Sequence, residues 1–197
     1  FGIEDVDLYV HAGLRGDVAI ELGDPPALMV PTYLSDLPEA TRIFMLARPM
    51  AAIASGLYPA WRLGPEDTGL VLAAAVRRLV PTFEDGQHDM DRLAVLQDKL
   101  SPSWFGRGKV DEAVQAYYAQ PVQASTWAPT VELTATRAAA ILCGDLEGVV
   151  SGLRLAGAIS QDAQGAAMVS ASPLLADVLR MWHGPAAGEL RVMAGIV

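Results

Sequence analysis

The pattern of hydrophobic and polar positions changes its period near residue 35. Before that point, apolar residues alternate with polar ones in three short runs, over residues 6–11, 18–22 and 27–31, and clusters of glycine, aspartate and proline separate the runs. Alternation between such clusters is typical of short β-strands. We therefore expect these runs to form a small antiparallel β-meander.

After residue 35 the apolar positions follow a helical period. The first helix is predicted over residues 38–57, where Ile43, Met50 and Ile53 recur at helical spacing and Asp36 provides a start signal. Pro49 lies deep inside this segment. It removes one backbone donor and costs about 3 kcal/mol in a straight helix, so we expect a kink or a break there.

Later helices are predicted from apolar periodicity and from the residues that begin and end them. They cover residues 65–79, 90–100, 110–118, 129–142, 145–155 and 173–182. Residues 184–188 are predicted to be a loop, and the last residues to be a strand or an unpacked end.

The predicted fold class is α+β, with a small N-terminal antiparallel β-meander followed by a mainly α-helical body. A length of 197 residues allows one main domain and a small appendage. We expect a first domain over residues 1–160 and a helical extension over residues 161–197 that packs on it.

Composition excludes several classes of partner. A net charge of -9, with 14 basic residues, argues against a nucleic-acid-binding protein, since phosphate contacts need clustered lysine and arginine. The hydrophobic content is 52%, but much of it is alanine. The densest apolar run, residues 69–76, is far shorter than the roughly 20 residues of a membrane-spanning helix. No membrane span is predicted.

Cys143 is the only cysteine, so the sequence has no internal disulfide and we expect a cytoplasmic location. The sequence begins at Phe1 with neither an initiator methionine nor a signal-like segment. We expect it to be a fragment of a larger chain. The scarcity of lysine among its basic residues is typical of a GC-rich bacterial genome.

Two segments carry a resemblance to a known family. The first predicted helix contains Ile53-Ala54-Ser55-Gly56, and a later helix contains Glu132-Leu133-Thr134-Ala135-Thr136-Arg137. The order of strands, first helix and later helix resembles the zinc metallopeptidases of the HtpX and CAAX prenyl protease family. In that family the first helix carries His-Glu-x-x-His followed by Ser-Gly-His, and the later helix carries Glu-x-x-Ala-Asp.

The resemblance places unsuitable residues at the family's functional positions on the first helix. Arg48 and Ala52 stand where the two zinc-binding histidines would be, Pro49 where the catalytic glutamate would be, and Leu57 where the histidine after Ser-Gly would be. Glu132 keeps the position of the third ligand, and Thr136 replaces the aspartate. Arginine repels a cation, and proline and alanine have no side-chain base.

The resemblance therefore implies a pseudoenzyme with no metal and no cofactor, because Glu132 alone cannot hold Zn²⁺. Arg48 and Glu132 would lie close together around the position of the lost ion. We predict either a salt bridge between them, in which the guanidinium takes the place of the metal's charge, or two side chains that both face solvent.

The main functional hypothesis is a catalytically inactive domain that binds protein, as a scaffold within a larger bacterial protein or assembly. Its partner would be another protein or another domain of the same polypeptide. Since the family's peptidases bind substrate as an added strand, the hypothetical groove lies at Ala27, Met29, Pro31 and Tyr33. The alternatives are a helical repeat-like interaction module and a residual hydrolase with different chemistry.

Other candidate groups are better explained without chemistry. The three histidines, His11, His88 and His183, are scattered, which is typical of surface positions. The acidic cluster of Asp85, His88, Asp89 and Asp91 is interpreted as a solvated helix start, and Cys143 as a structural thiol. Gly106-Arg107-Gly108-Lys109 lacks the full phosphate-loop pattern and is interpreted as a turn.

Overall fold

A computed structural model of the chain describes residues 2–84, 86, 88–100 and 108–196. The fold is α+β, as predicted, with a small sheet near the N-terminus and a helical body after it. The elements are β1 (Asp7–His11), β2 (Ala19–Glu21), β3 (Ala27–Pro31), a 3-10 helix (Thr32–Asp36), α1 (Glu39–Ala54), α2 (Tyr58–Leu79), α3 (Met90–Lys99), α4 (Lys109–Ala119), α5 (Ala124–Cys143), α6 (Leu146–Leu155), α7 (Gly165–Ala171), α8 (Pro173–Trp182) and α9 (Ala186–Met193).

The chain divides into two compact units. Unit one consists of Phe1–Arg62 and Thr130–Val197, and unit two of Leu63–Pro129. The predicted boundary at residue 160 does not separate them, because Leu175 and Val178 of α8 are buried in the same core as the strands and α1. The segment 161–197 is therefore part of unit one rather than an extension packed on it.

The sheet is mixed, so the predicted antiparallel meander is wrong. The strand order is β1-β3-β2, with β1 parallel to β3 and β2 antiparallel to β3. A short connection joins β2 to β3 and suits an antiparallel pair. β3 is the most apolar strand and takes the central position, where Leu28 and Val30 are buried, while β1 pairs with its other edge.

Helix α1 runs without interruption through Pro49, so the predicted break is absent. Phe44 and Met45 are fully buried on the helix face that meets the core. Burial of two such side chains contributes about 3–6 kcal/mol, which offsets the cost of the proline. The helix also begins without a side-chain cap, at Pro38, because Asp36 lies in the preceding 3-10 helix.

Glycines on α6 allow α1 and α6 to pack closely. A Cβ atom built on Gly152 would overlap the ring of Phe44, and one built on Gly148 would lie 2.8 Å from Cβ of Ala40. These two glycines are four residues apart and share one helix face. Only glycine fits both positions without displacing α1.

Unit two has its own small core. Buried residues of α2 (Leu70, Ala73 and Ala74) pack with Leu93 of α3 and with Leu100. Gly64 interrupts α2 with a φ of 76° and a ψ of 177°, which is why the predicted helix start at residue 65 matches the longer, second part of α2.

The C-terminal prediction needs correction. The sequence predicts a loop over residues 184–188 and a strand or an unpacked end after it, but α9 begins at Ala186 and continues to Met193. Gly184 and Gly188 predict a loop by composition, yet Gly188 lies inside α9 in open space. Ala187 is buried, which favours the helix at this position. The short helix α7 was not predicted either.

Candidate functional site

The most unusual feature of unit one is a charged side chain inside its core. Arg48, on the core-facing side of α1, is only 1% exposed and is the largest fully buried side chain. A buried charge is costly unless hydrogen bonds and an opposite charge compensate it. The partners of Arg48 therefore define the site.

Three groups accept hydrogen bonds from the Arg48 guanidinium. Nη1 donates to Oδ2 of Asp17 at 2.6 Å, Nη2 donates to Oε1 of Glu132 at 2.8 Å, and Nε donates to Oγ1 of Thr136 at 3.3 Å. The predicted salt bridge between Arg48 and Glu132 is thus confirmed, and the alternative in which both face solvent is wrong. We call these four residues the arginine cluster.

The backbone of each element explains how the partners reach Arg48. Glu132 and Thr136 are four residues apart on α5 and share one face of that helix. Asp17 follows Gly16, whose φ of 86° allows the turn before β2 that aims Asp17 at α1. Asp17 was not predicted. In the sequence, Asp17 stands between a glycine that indicates a turn and a predicted strand. This position does not by itself show that the Asp17 side chain pairs with Arg48.

Aromatic rings complete the surroundings of the guanidinium. Cζ of Arg48 lies 5.7 Å from the ring centroid of Phe44 and 5.3 Å from that of Trp61. Ring faces at this distance attract a cation. Arg48 is therefore held by two carboxylates, one hydroxyl and two aromatic rings.

Burial dominates the electrostatics of Asp17. It raises the pKa of this carboxyl above its ordinary value, although the charge of Arg48 and the hydrogen bond from the backbone N–H of Val18 act in the opposite direction. Tyr33 lies nearby and donates its hydroxyl proton to the carbonyl of Gly16. Burial and the negative charge of Asp17 raise the pKa of Tyr33.

The positions that the resemblance assigns to the peptidase motif lie at and around the arginine cluster. Pro49 and Ala52 are buried in α1 beside Arg48 and carry no ligand atom, and Leu57 lies beyond the end of α1. Among the described residues, no group of three or more His, Cys, Asp or Glu side chains is placed to hold a metal ion. A cavity of about 460 Å³, lined by Asp17, Ile20, Trp61 and Arg62 among others, adjoins the cluster.

The predicted groove along β3 does not have the geometry that strand addition needs. Ala27, Met29 and Pro31 lie on the central strand, whose two edges are already paired with β1 and β2. Tyr33 lies in the 3-10 helix with its hydroxyl on Gly16. In the predicted meander β3 is an edge strand, whereas in the structure it is the central strand.

The remaining candidates occupy separate places. Asp89 caps α3 by accepting hydrogen bonds from the backbone of Asp91 and Arg92, which agrees with the predicted helix start. Asp85, Gly106 and Arg107 lie outside the described residues. The Cys143 thiol contacts the carbonyls of Ala40 and Asp145, and burial raises its pKa, which disfavours the reactive thiolate.

The three histidines belong to different segments of the chain. His11 ends β1 and is exposed, His183 follows α8 and is exposed, and His88 is half-buried in unit two. No single helix among the described residues is long and apolar enough to cross a membrane. No protein-family model, curated protein or solved structure matches the chain.

Proposed function

We propose that the chain is a non-catalytic protein-binding module built on a metallopeptidase-like framework. The observation that carries this proposal is the contact of Arg48 with Glu132 at 2.8 Å. The two residues stand at positions that the resemblance assigns to ligands of one zinc ion, and such positions must lie within a few ångströms of each other. A cation held by the protein itself then occupies the place of the metal.

The packing of α1 also supports this framework over the helical repeat-like alternative. In a solenoid, helical pairs stack on their neighbours in one direction. Here α1 shares a core with β2 and β3, and its Arg48 contacts both the segment before β2 and α5. The contact of the first helix with the sheet and with the later helix supports the framework that we propose.

The binding surface that we propose is the outer edge of β1. Among the described residues, β1 pairs with β3 on one side and with no strand on the other. Leu8, Tyr9 and Val10 are 57%, 53% and 65% exposed. The strand has none of the lysines, prolines or bulges that usually protect a free edge. A further strand can therefore add there by backbone hydrogen bonds.

Metal analysis tests the non-catalytic part of the proposal. The purified chain, incubated with Zn²⁺ and dialysed, is expected to retain no zinc and to leave a casein substrate uncleaved. One zinc ion per chain, or proteolysis that a chelator abolishes, would return the protein to the peptidases.

A restored variant tests the framework itself. Arg48→His, Pro49→Glu and Ala52→His together rebuild His-Glu-x-x-His on α1 opposite Glu132. If the framework is that of the family, this variant is expected to bind one zinc ion, and the further change Glu132→Gln is expected to weaken zinc binding at least about tenfold, in line with loss of a ligand. Circular dichroism of the zinc-free variant checks that α1 is retained. A folded variant that does not bind zinc would refute the relationship.

A further inference from the structure

We propose that the strand which adds to β1 is β1 of a second copy of the same chain. The two strands would run antiparallel about a two-fold axis at Tyr9, and the two three-stranded sheets would join into one. The inference deepens the proposed function and rests on it, because it uses the same free edge of β1.

The complementary ends of β1, an acceptor at one and a donor at the other, determine the choice of partner. The strand reads Asp7-Leu8-Tyr9-Val10-His11, with an acidic residue at one end and a histidine at the other. When two copies pair antiparallel with Tyr9 opposite Tyr9, Asp7 of each copy faces His11 of the other. An isologous contact uses every pair twice, so both ends of the strand gain a complementary partner.

The hydrogen-bonding pattern fits the same register. The backbone N–H of Asp7 donates to the carbonyl of Pro26 at 3.0 Å, on the β3 side. In a parallel ladder successive residues point their backbone groups to opposite sides, so Leu8 and Val10 direct theirs outward. Centred on Tyr9, the register sets Leu8 of one copy opposite Val10 of the other, which makes a hydrogen-bonded pair.

His11 presents a donor to this interface. Its Nδ1 accepts a hydrogen bond from the backbone N–H of Gly13 at 3.2 Å, which leaves the proton of a neutral ring on Nε2. The Tyr9 hydroxyl donates to Oδ2 of Asp7 at 3.3 Å and leaves Oδ1 free. Donor and acceptor are therefore available on the same face of the strand.

The exposed apolar side chains of β1 would be buried by a second copy. Leu8 lies opposite Leu28, and Val10 opposite Val30, so all four point to the same side of the sheet. Leu28 and Val30 are buried there, whereas Leu8 and Val10 are exposed because the sheet ends at β1. In the dimer, Leu8 of one copy packs against Val10 of the other.

Sedimentation velocity over a range of concentrations tests the dimer with the intact chain. We expect a reversible monomer–dimer equilibrium, and a rise of about tenfold in the dissociation constant for Val10→Lys, which removes two symmetric cross-strand pairs. Val95→Lys is the matched control, since Val95 is similarly exposed, at 57%, but lies on α3 in unit two. A dimer that Val10→Lys leaves unchanged would place the interface elsewhere and overturn the proposal.

A charge exchange tests the register. His11→Glu alone sets two carboxylates opposite each other, and Asp7→Lys alone removes the acceptor that faces Nε2–H of His11, so each is expected to weaken the dimer. The double variant Asp7→Lys with His11→Glu exchanges the charges and is expected to restore it. If the double variant is as weak as the sum of the single changes, the register is wrong.

A labelled peptide with the sequence of β1 separates this inference from the proposed function. A chain that stays monomeric at all concentrations yet binds the peptide, with binding lost in Val10→Lys, would overturn the second copy and keep the free edge as a binding surface. A monomeric chain that does not bind the peptide would overturn both. Circular dichroism confirms that each variant is folded.

Discussion

Replacing Arg48 with methionine is expected to lower the free energy of unfolding by about 3 kcal/mol at pH 7. Removing one partner of a buried ion pair costs about 3–5 kcal/mol, because the other charges are left uncompensated. The carboxylates that remain, Asp17 and Glu132, are 24% and 39% exposed. Water therefore solvates them in part, which places the loss at the lower end of that range.

Methionine is chosen because it keeps most of the apolar contact of the arginine stem with Phe44 and Trp61. The loss then reports the charge and its hydrogen bonds rather than an empty volume. Urea unfolding followed by far-UV circular dichroism gives the change in midpoint and in slope. Both units contribute to the signal, so the transition is also followed by tryptophan fluorescence to test whether the curves coincide.

Arg92→Met is the matched control for this substitution. Arg92 pairs with Glu66 at 2.9 Å, but the two side chains are 54% and 74% exposed. Exposed ion pairs contribute little to stability, so the same substitution is expected to have a much smaller effect there. A midpoint for Arg48→Met that moves no further than that of Arg92→Met would refute the structural role assigned to the cluster.

The second substitution, Glu132→Gln in the Arg48→Met background, tests the electrostatic part of the reasoning. Without Arg48, Asp17 and Glu132 are two carboxylates drawn to one site with no cation between them. Neutralising Glu132 is then expected to recover part of the lost stability, whereas in the wild type it is expected to cost stability. A change of the same size and sign in both backgrounds would show that Glu132 does not interact with Arg48 in solution.

Two further predictions concern glycines on α6 and α9 and the ion pair of Asp177 on α8. Gly152→Ala is expected to destabilise the protein by about 1–2 kcal/mol, because overpacking against Phe44 exceeds the gain in helix propensity. Gly188→Ala has open space around its Cβ and is expected to stabilise the protein by up to about 1 kcal/mol. Thermal melts compare the two variants. Asp177 accepts two hydrogen bonds from Arg137, at 2.6 and 2.7 Å, which lower its pKa. Asp177→Asn is therefore expected to lower the free energy of unfolding at pH 7. The difference in this free energy between variant and wild type should disappear as pH falls below 3.8, the ordinary pKa of aspartate. A difference that is constant with pH would contradict the lowered pKa of Asp177.

The elements that the sequence predicts best are those with a complete local signal. The helix expected over residues 173–182 matches α8 at both ends, because Ser172 caps it through the backbone N–H of Leu175 and Pro173 occupies its first turn. The strands were also placed correctly, since alternation and turn residues are local properties. Which strand pairs with which is not local, and the parallel pairing of β1 with β3 could not be obtained from the pattern.

Pro49 and α9 show how tertiary packing overrides local preference. A proline at position 49 predicts a kink or a break, but α1 is buried on both sides of it, through Phe44 and Met45 before the proline and Ala52 and Ile53 after it. The same distinction between local signals and tertiary packing applies to the candidate site. The pairing of Arg48 with Glu132 followed from the spacing of the resembled motif, whereas Asp17, at a turn far away in sequence, depends on how the segment before β2 packs.

The arginine cluster also explains how unit one selects a single arrangement of its two chain segments. Arg48 and Asp17 belong to the first segment and Glu132 and Thr136 to the second. An apolar contact between α1 and α5 tolerates small shifts, because hydrophobic packing is not directional. A slip of one residue along α5 would rotate Glu132 by about 100° away from Arg48 and leave the buried guanidinium with one carboxylate. Since an uncompensated buried charge costs several kcal/mol, the cluster restricts the register of the two helices more strongly than the apolar core around it.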